Sequence, residues 1–186
     1  TGVRTATQKH GNGTTTYTYS AAGGKNHPET VTDALGRVTT YAVDWRDRVA
    51  SMTDPDGGVT RYTYDGANNL KSVTDAEGRT TSFAYDAMNR RTVATDALGQ
   101  TVRTSYDEMG NVEKVVDELG RETRTFYDSR YRAVRVVDAA GQTTRYAYDR
   151  AGNLTTVTDP LGRVVTYRYD ALNRVIKVEL PAVGGA

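Results

Sequence analysis

The sequence has no cysteine, and among its 186 residues only two histidines, one tryptophan, two phenylalanines and four prolines. Without cysteine there is no disulfide framework, no cysteine zinc site and no cysteine nucleophile, and the redox compartment stays open. His10 and His27 lie far apart in the chain with no ligand spacing and are expected in solvated loops. No run of about 18 apolar residues occurs, so no transmembrane helix and no membrane insertion are expected. A signal peptide and an initiator methionine are also missing, and a chain starting at Thr1 is expected to be part of a longer or processed one. Charge of one sign is lacking too: 24 Lys and Arg face 23 Asp and Glu. That balance argues against a strong field for nucleic acid or a membrane surface. No G-x-S-x-G, phosphate-cradling glycine loop or HExxH is found. Carboxylates are spread evenly along the chain, so no catalytic, cofactor-binding or metal site is assigned and no enzyme is expected.

Leu, Ile, Val and Phe together are scarce, and most of them are Val. So low a fraction accompanies disorder when net charge is large. Here the net charge is +1, and 13 tyrosines add apolar area of roughly 150–250 Å² each. An ordered chain around a thin, aromatic-rich core is expected.

Internal repetition is the dominant signal. Tyr64-Asp65, Tyr85-Asp86, Tyr106-Asp107, Tyr127-Asp128, Tyr148-Asp149 and Tyr169-Asp170 recur with a constant period of 21, and Val43-Asp44 fills the preceding slot. Gly36, Gly57, Gly78, Gly99, Gly120, Gly141 and Gly162 keep the same period, each three residues after an Asp from Asp33 to Asp159. Segments such as Thr60-Arg-Tyr-Thr-Tyr64 are β-branched or aromatic at alternate positions, the strand period. A turn follows whose fourth residue after the tyrosine slot is Asp47, Asn68, Asn89, Gly110, Tyr131, Gly152 or Asn173. Except for Tyr131, these residue types tolerate the left-handed conformation of tight turns. A second strand and an Asp-x-x-Gly turn then close the unit, the Asp bonding backbone two residues on. The fold expected is all-β, with each unit a β-hairpin.

Residues 1–36 hold one irregular leading copy, in which Tyr17-Thr-Tyr19 matches Tyr62-Thr-Tyr64 and the loop 20–29 carries three extra residues. Residues 37–180 hold seven regular repeats, and 181–186 leave the pattern as a linker or cut edge. A second period of 42 overlies the first. Arg48, Asn69, Arg90, Asn111, Arg132, Asn153 and Arg174 alternate strictly, and Arg37, Arg79, Arg121 and Arg163 follow every second glycine. Four strands in each such double period also suit a β-propeller blade, the alternative fold. About fourteen strands at roughly 4.8 Å spacing would make a strip near 65 Å wide, which twist forces to coil, close or split. Two open edges would be an aggregation hazard, so a longer natural molecule is expected.

Copies such as Tyr148-Asp-Arg-Ala-Gly-Asn-Leu-Thr-Thr-Val-Thr-Asp-Pro-Leu-Gly-Arg163 resemble the YD-repeat, or Rhs (rearrangement hotspot), family over about residues 30–180. Such repeats occur in bacterial Rhs polymorphic toxins, in the C components of ABC toxin complexes, in wall-associated bacterial proteins and in teneurins. The resemblance implies tandem hairpins forming a curved antiparallel sheet, a segment of a spiral β-shell. It implies a secreted bacterial protein whose shell encloses a C-terminal effector. Its partners would be further repeats of the same chain and that effector. The family's toxin members end the shell with a self-cleaving Asp-Pro-x-Gly-Leu type motif. Here Asp159-Pro-Leu-Gly162 runs into Arg163 and another ordinary copy, which leaves self-cleavage and effector outside this chain.

The repeated tyrosines could stack on sugars, making the chain an extracellular carbohydrate- or protein-binding module, but cross-strand packing is the reading favoured. Asp-x-x-Gly supplies one carboxylate per turn, which suits turn capping better than Ca²⁺. The 19 Arg share hairpins with 16 Asp, so pairing with the Asp ladder or stacking on tyrosine is favoured over nucleic acid. The Tyr-Asp pairs and the phased glycines are therefore taken as architectural positions.

Overall fold

The computed structural model describes residues 4–11, 13–19 and 28–181. His27, the His10 side chain, most of the loop 20–29 and the tail after 181 lie outside the described residues. His10 itself ends a strand and not a loop. Among the described residues every regular element is a β-strand, and the chain divides into two compact units, Thr1–Gln100 and Thr101–Ala186.

The first unit holds β1 (Arg4–His10), β2 (Gly13–Tyr19), β3 (Thr30–Thr32), β4 (Val38–Val43), β5 (Val49–Thr53), β6 (Val59–Tyr64), β7 (Leu70–Thr74), β8 (Thr80–Tyr85) and β9 (Arg91–Thr95). The second holds β10 (Thr101–Tyr106), β11 (Val112–Val116), β12 (Glu122–Tyr127), β13 (Ala133–Val137), β14 (Thr143–Tyr148), β15 (Leu154–Thr158), β16 (Val164–Tyr169) and β17 (Val175–Glu179). Inside each unit every strand pairs antiparallel with its chain neighbours, without interruption. Propeller blades would break the ladder after every fourth strand, and neither unit contains such a break. The longer alternation therefore changes side chains, not pairing, and the propeller alternative is set aside.

The period is odd, whereas side chains alternate with a period of two. Equivalent residues stay on one face only if each repeat holds one residue outside the alternation. A β-bulge supplies it. Thr63 faces Ser72 but Tyr64 faces Leu70, which leaves Lys71 unpaired. The same shift precedes Val43, Tyr85, Tyr106, Tyr127, Tyr148 and Tyr169. Crossing two strands carries Tyr62 through Val73 to Thr81, 19 positions on, while its repeat equivalent Phe83 lies 21 on. Each repeat is thus displaced by two residues, about 7 Å along the strands. The irregular first copy keeps this displacement: Tyr17 reaches Thr39 through Val31, and the extra loop residues leave the stagger intact.

The register sorts side chains by face. Tyr62, Tyr64, Leu70 and Val73 share one face with Phe83 and Tyr85, and Arg61, Thr63 and Ser72 share the other. No described residue is buried, and the tyrosines are half-buried except Tyr131, which is exposed. The thin core anticipated from composition is absent within each unit, because a single layer of strands has nothing to cover either face.

Candidate functional site

The two turns of each repeat share one construction. In Asp65–Asn69 the Asp65 amide donates to the Asn69 carbonyl at 2.9 Å and the Asn68 amide to the Asp65 carbonyl at 3.2 Å. Asp65 Oδ1 accepts the amides of Ala67 at 2.9 Å and Asn69 at 2.8 Å. In Asp117–Arg121, an Asp-x-x-Gly turn, Oδ1 likewise accepts the amides of Leu119 at 3.0 Å and Arg121 at 2.9 Å. One carboxylate oxygen thus satisfies two amides that the hairpin ladder leaves without a partner. The second oxygen takes the side chain four residues on: Asn69 Nδ2 at 3.0 Å on Asp65, Arg121 Nε at 2.7 Å on Asp117. Asp86, Asp107, Asp128 and Asp170 repeat the pattern, and Asp149 varies it, its Oδ1 accepting the amides of Gly152 at 2.8 Å and Asn153 at 2.9 Å.

The position before each Asp holds the strand-ending tyrosine. Tyr64 donates its hydroxyl to the Val49 carbonyl, Tyr85 to Leu70, Tyr127 to Val112, Tyr148 to Ala133 and Tyr169 to Leu154, each at 2.9 Å. Each acceptor is the first residue of the preceding strand, where the ladder to that neighbour has already ended, so the hydroxyl ties one hairpin to the next. Tyr106 closes β10 at the equivalent bulge. Around Tyr148 the tie becomes a clamp. Arg132 holds Asp128 Oδ2 at 2.6 Å, lies 4.4 Å over the Tyr148 ring and donates to the Asp149 carbonyl at 3.3 Å. Arg48 does the same with Asp44 and the Tyr64 ring, at 4.3 Å. Burial raises the pKa of both Tyr64 and Tyr148, against the nearby arginine. Tyr148→Phe removes only the hydroxyl and is expected to cost about 0.5–1.5 kcal/mol in urea denaturation. An unchanged midpoint would dismiss the tie to Ala133.

The phased glycines Gly57, Gly78, Gly99, Gly120, Gly141 and Gly162 have φ of 89, 82, 81, 75, 76 and 79°. The opposite turns put Asp47, Asn68, Asn89, Gly110, Tyr131, Gly152 and Asn173 at φ of 63, 72, 62, 93, 62, 100 and 60°. Several of these residues also receive a bond from the neighbouring turn. Asn69 Nδ2 reaches Asn89 Oδ1, and Asn153 Nδ2 reaches Asn173 Oδ1, both at 2.8 Å. Opposite Asn111 the slot holds Tyr131, which has no amide oxygen, and a shallow cleft of about 530 Å³ opens there between Met109, Glu113 and Tyr131. Among the described residues no three of His, Asp or Glu converge as metal ligands.

The RHS Repeat family matches residues 46–76, 64–101, 92–122, 127–163 and 148–182. The chain belongs to the RHS repeat family. Its fold is similar to three solved toxin-complex structures. The TcdB2-TccC3-Cdc42 crystal structure shares 20% identity at a TM-score of 0.71, covering 88% of this chain and 10% of that one. The Photorhabdus luminescens Tc holotoxin pore with a substituted TccC3 shares 20% at 0.72, covering 88% and 10%. The TcdB2-TccC3 crystal structure shares 20% at 0.70, covering 90% and 10%. The chain therefore spans about a tenth of the length of those neighbours. The comparison with curated proteins gives no match.

In the RHS repeats, the turn carboxylates that meet an Arg or Asn side chain four residues on are held ionised. The Arg132 side chain, hydrogen-bonded to Asp128, brings that carboxyl down to about 2. The side chains of Arg48, Arg79, Asn69, Asn111 and Asn153 lower Asp44, Asp75, Asp65, Asp107 and Asp149 in the same direction. Folded values below unfolded ones mean that this stabilisation is complete above about pH 4 and is lost as pH falls through the folded values. Thermal melts are expected to stay level from neutrality to about pH 4 and to drop steeply from there to about pH 2. A melting temperature level down to that pH would contradict the assigned carboxylate bonds.

Proposed function

We propose that the chain is a stretch of wall in a larger RHS-repeat shell, secreted by a bacterium, that encloses a C-terminal effector of the same protein. The constant two-residue displacement per repeat supports this reading most. A step of about 7 Å along the strands for each two strands, about 10 Å across, tilts the strands by about 35° from the perpendicular to the direction of growth. Sheets that close or wind on themselves need such an inclination. The similarity to TccC3-containing toxin structures supports it too. On this reading the Tyr-Asp pairs and the phased glycines are architectural, and the chain does mechanical work without catalysis. Its partners are the adjoining repeats, since each hairpin has to be covered by a next one.

Electron microscopy of the full-length protein with limited proteolysis tests this. Hollow particles whose C-terminal segment resists protease until the wall is unfolded are expected. An extended solenoid with a freely digested C-terminal segment would overturn the reading.

A further inference from the structure

Charges are segregated by face in the Thr101–Ala186 unit. Apart from the bulge residues, the strand residues that share the face of Tyr127, Tyr148 and Tyr169 are Val, Thr, Tyr, Leu and Ala, with no Lys, Arg, Asp or Glu. On the opposite face the ladder sets cations directly against each other: Lys114 faces Arg124, Arg135 faces Arg145, and Arg168 faces Lys177. Like charges directly opposite on a sheet destabilise it. Two of these pairs have a local remedy. Glu122 bridges Lys114, at 3.7 Å, and Arg124. Glu179 bridges Arg168 at 3.2 Å and Lys177 at 2.7 Å. The central pair has none: Arg135 lies 3.6 Å over the Phe126 ring, and no carboxylate of the described residues pairs with Arg135 or Arg145. The aspartates that balance the whole-chain charge sit in the turns: Asp107, Asp117, Asp128, Asp149, Asp159 and Asp170 of this unit bond the Arg or Asn four residues on, and Asp138 caps the amides of Ala140 and Gln142.

We propose that this face binds an acidic polypeptide segment, with a carboxylate held jointly by Arg135 and Arg145. Guanidinium forks a single ladder step apart suit a carboxylate, and the same-face neighbours decide the kind of polymer. Val137 pairs with Arg124 and Phe126 with Arg135, so apolar and cationic positions alternate across the patch. A polyphosphate chain would leave those apolar positions uncovered, whereas a peptide alternating acidic and apolar side chains matches both. This site is independent of whether the wall encloses an effector.

Fluorescence anisotropy on the full-length protein tests it with a labelled peptide alternating Glu and Val. The controls are its Gln/Val counterpart, inorganic polyphosphate, and phosphatidylcholine vesicles containing phosphatidylglycerol. Binding of the Glu/Val peptide is expected to weaken with salt and to fall more than about tenfold in the Arg135→Gln/Arg145→Gln variant. The same variant is expected to melt at or above the parent temperature, because the opposed charges are gone. Should the double variant melt lower, Arg145→Gln alone carries the comparison. Equal binding of the Gln/Val peptide, tighter binding of polyphosphate or vesicles, or undiminished binding by the variants would overturn the proposal.

Discussion

Replacing Gly120 by Val is expected to lower stability by about 1–3 kcal/mol, the scale of a strained backbone conformation. The cause is the backbone alone. At φ of 75° a Cβ on Gly120 would meet nothing within 4 Å, so no clash contributes. A β-branched residue in the left-handed region is nonetheless disfavoured. Gly120→Asn separates this from a general intolerance of side chains, since Asn68, Asn89 and Asn173 occupy the corresponding slot of the other turn at φ of 72, 62 and 60°. It is expected to stay within a few tenths of a kcal/mol of the parent. Tyr131→Asn should act in the opposite sense. It relieves a bulky residue at φ 62° and offers Asn111 the amide oxygen that Asn89 offers Asn69. Denaturation midpoints in the order Tyr131→Asn, parent, Gly120→Asn, Gly120→Val are the expected result. A Val variant as stable as the parent would remove the argument.

Much of this is legible in the sequence because the turns are chemically constrained. The Asp and the left-handed residue three positions later can be occupied by few residue types, so they recur in phase. The strands that the alternation predicts, such as Thr60–Tyr64, match β6 to within one residue. The Arg/Asn alternation after the turn also has a visible counterpart. Arg132 pairs with Asp128 and lies over Tyr148, so both roles expected of the arginines meet in one side chain. The bulge is harder to see, because Lys71, Glu113 and Val134 share no residue type. Its only trace is the oddness of the period. The segregation of charge is hidden for a related reason. Whole-chain charge adds the turn aspartates to the strand arginines, although the fold puts them in different places. Nor can composition reveal that no second layer covers the tyrosines within either unit, since burial depends on what lies over a sheet, not on the sheet's own residues.

Deleting Thr125 alone is expected to destabilise the protein more than deleting the whole repeat 113–133. Thr125 lies in the middle of β12, paired with Val136, and has no spare residue beside it. Its loss leaves half of the strand one step out of phase, and a one-step slip sends each side chain to the other face. Either Tyr127 leaves the carbonyl of Val112, or Arg124 and Glu122 turn onto the uncharged face and abandon Lys114. A cost above about 3 kcal/mol is expected, the upper range for a local change that breaks a bonded network. Hydrogen exchange should show lost protection across β11–β14. Removing the whole repeat joins Val112 to Val134 and leaves every register as before. The protein then loses one hairpin and its nearest-neighbour contacts, with a modest fall in melting temperature. Deleting Val134 should be milder still, because this bulge residue is passed over where Tyr127 faces Ala133 and Phe126 faces Arg135. The order of damage, from Val134 through the full repeat to Thr125, does not follow the number of residues removed. It follows only if the odd residue of each repeat sits in the bulge. If Val134 deletion proved as harmful as Thr125 deletion, both the bulge and the two-residue stagger built on it would have to be abandoned.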